Sequence, residues 1–135
     1  MSYRGIENFY GSLWNFYDGL NVFDNKAYVC YKSSNYESYS GAESLVKNHE
    51  YIGTLANTNN YVQDILNYSF GFFADDVIGA SNSTYITDYY YQSTGWRVAR
   101  LGGDAYHGVT AGVFALSVNY DLTNGNSNIS GRLAY

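Results

Sequence analysis

The sequence contains no proline and a single cysteine, Cys30, among its 135 residues. One thiol excludes an intrachain disulfide and any metal cage built from several cysteines. Cys30 sits within "AYVCYKS", where alternation favours a small buried hydrophobe over a reactive thiol. With no proline to stiffen a linker and no internal repeat, residues 1–135 are read as one domain. Positive charge is also scarce, with 7 Lys and Arg against 12 Asp and Glu and a formal net charge of -5. Cations so few and scattered cannot form a phosphate-binding face, which removes nucleic acid as a partner. No apolar run approaches the ~20 residues of a membrane helix, so membrane insertion is not expected. The opening "MSYRGIENFY" lacks a basic head followed by an apolar core, and no secretory signal is read there.

Catalytic and metal-binding patterns are missing too. There is no G-x-S-x-G elbow, no phosphate-cradling glycine loop followed by Lys, and no Cys–His pair at a recognisable spacing. His49 and His107 lie far apart without ligand partners at metal spacing. Asp75 and Asp76 in "FFADDVIG" lack the alternating ligands of a calcium loop; a solvated turn is the favoured reading and a calcium contact the other. The chain is therefore read as non-enzymatic, with no cofactor and no metal.

What the sequence has in quantity is tyrosine, 17 residues, and glycine, 14, with comparable numbers of Ser and Asn. Binding loops favour these four types, because tyrosine supplies a large amphipathic surface at low entropic cost while the small residues adapt around it. A β-rich chain with many turns uses the same types, so composition leaves both readings open.

Along the chain, Ile6, Phe9, Tyr10, Leu13, Phe16, Tyr17 and Leu20 recur at spacings of three and four, which predicts an N-terminal amphipathic helix bracketed by Gly5 and Gly19. Gly11 within it is expected to allow close packing on a sheet. "KAYVCYKS" alternates and predicts a strand over residues 26–33, and "GAESLVKN" a short helix within a loop-rich stretch. "YVQDILNY" fits a helical turn or a short strand. "GWRVARLGG" reads as a core strand, "TAGVFALSVNYDL" as another, and "TNGNSN" as the turn before a last strand, "ISGRLAY". Trp14 and Trp96 need partners for their indole N–H groups, and Arg97, Arg100 and Arg132 need acceptors; Arg97 and Arg132 are read as structural ion-pair or carbonyl-binding residues, a ligand role being the minority reading.

Two stretches together resemble a known family. "YRGIENFYGSLWNFYDGLNV" is similar to the opening of C-type-lectin-fold domains in phage tail and surface proteins. The hallmark at the other end is matched by Gly95-Trp96-Arg97, Gly102-Gly103, Gly108, Ala111-Gly112, Phe114 and Asn128-Ile129-Ser130-Gly131-Arg132. Ala105 and Ser130 depart from the pattern, standing where the family often has Trp and Gly. The resemblance includes the variable proteins of diversity-generating retroelements, in which mutation at template adenines changes side chains on a constant frame. It also includes the formylglycine-generating sulfatase-modifying enzymes, whose chemistry needs reactive cysteines that a chain with Cys30 alone does not supply.

The resemblance implies an α+β class: a C-type lectin fold with an N-terminal amphipathic helix packed on a small twisted antiparallel sheet, and long irregular loops. It implies a hypervariable, receptor-binding domain on the exterior of a phage tail fibre or capsid. The partners implied are a host cell-surface protein or glycan and other virion proteins, with assembly as a homo-oligomer, a trimer by analogy. The ligand-facing positions implied are Asp104, Tyr106, His107, Thr110, Ser117, Asn119, Tyr120, Asp121, Thr123 and Gly125. Residues 104–131 contain no Lys, Glu, Gln, Trp or Met, the types that adenine mutation of an asparagine codon cannot yield. The alternative is a structural decoration or tail-assembly role, using the same surface for contacts within the virion.

Overall fold

The longest strand among the described residues lies where apolar spacing predicts a helix. A computed structural model of the chain describes residues 2–3, 6–7, 10–35, 48–68, 71–121 and 123–130. Strands β1 (Ser2–Tyr3) and β2 (Ile6–Glu7) pair antiparallel, and β3 (Trp14–Phe23) follows. No N-terminal amphipathic helix occurs among the described residues. Gly11 and Gly19 explain why: their φ angles are 78° and 82°, a left-handed backbone that no right-handed helix interior accommodates.

The misleading spacing has a second cause, a bulge in β3. Val98 of β10 (Trp96–Leu101) stands opposite Asn21, and Arg100 opposite Phe16, five steps along β3 against two along β10. Three extra residues therefore bow out of the ladder around Gly19. Trp14 is buried before the bulge and Leu20 and Val22 after it, whereas Phe16 and Asp18 between them are exposed.

Strand formation dominates the rest of the chain. Strands account for 47% of the structure and helical turns for 6%, and no described helix reaches 7 residues. The expected α+β class, with a helix laid on a small lectin-type sheet, is thus replaced by a mostly β architecture around one curled sheet. Asp24 and Asn25, with φ of 44° and 64°, make the two-residue turn whose twist suits a hairpin. They return the chain as β4 (Lys26–Val29), shorter than the expected 26–33. The helix expected at 41–48 lies, except for Asn48, outside the described residues, as do Arg132 and the end of the last expected strand.

β5 (Glu50–Thr54) pairs with β4, and β6 (Asn60–Tyr61) is followed by a separate hairpin of β7 (Asp64–Tyr68) and β8 (Gly71–Asp76). β9 (Tyr89–Gln92), β11 (Leu116–Tyr120) and β12 (Ile129–Ser130) complete the set. The large sheet runs β5-β4-β3-β10-β11-β9-β6, with β12 joined to the start of β3. Two of its pairings are parallel, β11 with β9 and β12 with β3. Leu20, Val22, Val29, Phe73, Tyr90 and Leu116 belong to a single apolar cluster that ties the hairpin to the large sheet. Cys30 is buried at its edge, its Sγ 3.4 Å from the Lys32 carbonyl. Asp76 accepts the backbone N–H groups of Val77 and Ile78 at 2.7 and 2.9 Å, so it closes a turn. No described helix is long and apolar enough to cross a membrane.

Candidate functional site

Strands β3, β10 and β11 end at one side of the sheet, and the connections leaving them are sewn together there. Gly11 N–H donates to the Gly102 carbonyl at 2.9 Å, and Trp14 N–H to the Asn128 carbonyl at 2.9 Å. Gly103 permits a close backbone approach. With φ of 70° and a Cβ position only 2.6 Å from the Ala111 Cβ, it leaves no room for a side chain. The chain then turns through residues 104–110 and closes with a single 3-10 turn, Gly108–Thr110.

Asp104 holds that turn. Its side chain is buried at 2% exposure, and one carboxylate oxygen accepts the Tyr106 N–H at 3.0 Å and His107 Nδ1 at 2.5 Å. The other oxygen accepts the Asn128 amide at 2.5 Å. Burial raises the Asp104 pKa, but the Asn128 and His107 hydrogen bonds, the His107 charge and the Tyr106 N–H together prevail and leave it below the ordinary 3.8. The His107 ring also packs edge-on against Trp14 and Tyr91, at centroid distances of 5.3 and 5.6 Å. Thr110 donates its hydroxyl to the His107 carbonyl at 2.7 Å.

Beside this turn lies an open depression of about 120 Å³. Its aromatic walls are Trp14, Tyr91 and Tyr120, and Arg100 and Ser117 form the deepest part. The Arg100 guanidinium carbon is 5.2 Å from the Trp14 ring centroid and 4.1 Å from that of Tyr120, so the cation lies between two π faces. Its Nη2 donates to Ser117 Oγ at 2.9 Å and to Asn119 Oδ1 at 3.4 Å, while Nε is buried without a partner. Ser117 in turn donates to Asn119 Oδ1 at 2.6 Å. Burial pulls the Arg100 pKa below the ordinary arginine value, against Tyr120 and the Asp104 charge, which favour the charged form. A guanidinium stays protonated regardless.

The ten positions implied by the resemblance fall into two layers. Tyr106 is 96% exposed and Tyr120 36%, and Asp121, Thr123 and Gly125 also face solvent. Asp121 orders its own turn by accepting the Thr123 N–H at 3.0 Å and hydroxyl at 2.6 Å, which holds its pKa below the ordinary value. Asp104 and Ser117, by contrast, are buried, and His107, Thr110 and Asn119 are half-buried. Asp104 and Thr110 brace the turn that carries the upper layer, while His107, Ser117 and Asn119 line the depression.

Five of the nine residues lining the depression, Trp14, Tyr91, Arg100, Asn126 and Asn128, lie outside that set. The available signal was Arg100, a cation in the strand "WRVARL" that needs an acceptor. Arg97 reaches Ser93 Oγ at 3.4 Å and makes no ion pair with a described carboxylate. Trp96 stacks on Phe23 at 4.7 Å, and its indole nitrogen is buried without a partner. Among the described residues no group of three or more His, Cys, Asp or Glu could hold a metal ion. No protein-family model, curated protein or solved structure matches the chain.

Proposed function

We propose that this chain is a non-enzymatic binding domain of a phage virion surface, whose face around residues 104–125 contacts a host-surface protein or glycan. One observation carries the reading. The backbone of Tyr106 is pinned to buried Asp104 while its ring stands 96% exposed, so a rigid main chain presents a free aromatic side chain to solvent. A large exposed tyrosine has no folding role there, and rigid aromatics of this kind are favoured anchors in binding surfaces. The sequence resemblance to variable phage surface proteins supports the same reading, with the side chains carried on a β framework in place of the helix-bearing one.

The test is adsorption to host cells by the wild-type chain and by a Tyr106→Ala, Tyr120→Ala double variant, with matched folding checked by circular dichroism. Binding should fall at least tenfold, and equal binding by the two folded proteins would remove this face from the function. A second reading rests on a different set of residues. Phe72, Ile78 and Tyr85 are also exposed, at 55%, 78% and 108%, and apolar exposure of that kind suits contact with another virion protein. An intact-particle structure with Phe72, Ile78 and Tyr85 covered by a neighbouring virion protein would favour that structural role.

A further inference from the structure

A cation removed from water normally faces a carboxylate, because an unpaired buried charge is strongly unfavourable. Arg100 breaks this rule. It is 3% exposed, and no described carboxylate lies within ion-pair distance of it. The nearest acidic charge, Asp104, is already engaged by His107, Asn128 and the Tyr106 N–H. The guanidinium hydrogen-bonds only neutral oxygens, those of Ser117, Asn119 and Tyr120, and its Nε reaches nothing, although the side chain lines an open depression. The arrangement is a preformed seat for an anion, held between two aromatic rings and waiting for a negative partner.

The surroundings narrow the anion's chemistry. About 120 Å³ admits a group of roughly one ring. Neutral hydrogen-bonding groups stand round the cation. Asn126 is exposed with no described side-chain bond, and Asn119 spends its carbonyl oxygen on Ser117 and Arg100, which leaves its amide N–H groups outward. Such a rim matches several hydroxyls beside one carboxylate. A glutamate side chain offers a carboxylate on a methylene stem and would leave those amides unmatched. A phosphate would be better served by several cations than by one. The chain's formal charge of -5 gives no long-range attraction for an anion, so recognition rests on the local guanidinium.

We propose that the Arg100 depression binds the carboxylate-bearing sugar of an acidic glycan, a uronic or sialic acid, with Arg100 taking the carboxylate and Asn119 and Asn126 the hydroxyls. This rests on the host-surface reading above and specifies its ligand class. It also places the charge-reading element on a β10 residue outside the segment that resembles a variable region.

The experiment titrates the full chain with glucuronate, N-acetylneuraminate and glucose, followed by amide chemical-shift changes. Single sugars should bind weakly, at about millimolar Kd. At least one of the two acids should bind about tenfold more tightly than glucose, which differs from glucuronate only by the lost carboxylate. Arg100→Met should lose that advantage, and Asn126→Ala, at an exposed position, should weaken acid binding several-fold with an unchanged melting temperature. Glucose binding as tightly as the better-bound acid, neither acid binding, or a folded Arg100→Met with unaltered acid binding each overturns the proposal. Should Arg100→Met fail to fold, the acid-to-neutral ratio and Asn126→Ala still decide it. A glutamate-containing peptide that binds more tightly than both acids overturns the sugar assignment in favour of an acidic protein partner. Host-cell adsorption measured in parallel separates the two readings: cells bound without sugar-acid binding sinks this inference alone, and cells not bound sinks the host-surface reading.

Discussion

The buried and exposed layers of the face around residues 104–125 are built from close neighbours in sequence and differ in almost every physical respect. Asp104 is buried and bonded three times, whereas Tyr106, two residues on, is bonded only through its backbone and otherwise lies in water. Ser117 is buried under Arg100, and Tyr120, three residues further, forms an outer wall. The contrast teaches that position along the chain does not separate scaffold from surface here. Substitution tolerance should follow the layer, because removing a buried hydrogen-bonded group leaves its partners unsatisfied while truncating an exposed ring does not.

The sharpest break of that contrast is Trp14→Ala, which empties the wall against which Arg100 and His107 both pack. Loss of about 4 kcal/mol is expected, read by urea unfolding. Asp104→Ala comes next at about 3 kcal/mol, since His107, Asn128 and the Tyr106 N–H all lose their acceptor. Asp104 also sets a pH dependence. Its folded pKa lies below its unfolded one, so its contribution is complete above the ordinary value near 3.8 and disappears as pH falls from there through the folded value. Melting temperatures between pH 5 and pH 2 should therefore fall less steeply for Asp104→Asn than for the wild type. Gly103→Ala should cost about 2 kcal/mol, from a positive φ and the collision with Ala111. At the small end, Tyr106→Ala should stay within about 0.5 kcal/mol of wild type. A Tyr106→Ala change as destabilising as Asp104→Ala would erase the distinction between the layers.

Much of the strand content was legible in the sequence, because alternation with β-branched and aromatic residues is a local signal. "GWRVARLGG" contains β10, and "TAGVFALSVNYDL" contains β11. The first twenty residues were not legible. Their aromatic residues suit either period, and the bulge at Gly19 shifts the buried face midway through β3. Only the partner strand reveals that shift. The outer positions Tyr106, Tyr120, Asp121, Thr123 and Gly125 are solvent-facing, but nothing local distinguishes them from Asp104 and Ser117, which are buried. Burial of a polar residue depends on where its hydrogen-bond partners arrive, and Asn128 reaches Asp104 from 24 residues away.

The sequence by itself determined a single-cysteine, acidic, tyrosine-rich chain with strands at β4, β10 and β11 and glycines where the backbone turns left-handed. Those features follow from side-chain chemistry and local backbone sterics, which act between near neighbours. Tertiary structure decided that β3 is a bulged strand, that Asp104 is buried, and that Arg100 is enclosed between Trp14 and Tyr120 without a carboxylate partner. Each depends on strands brought together across long stretches of chain, and burial exists only once they have met.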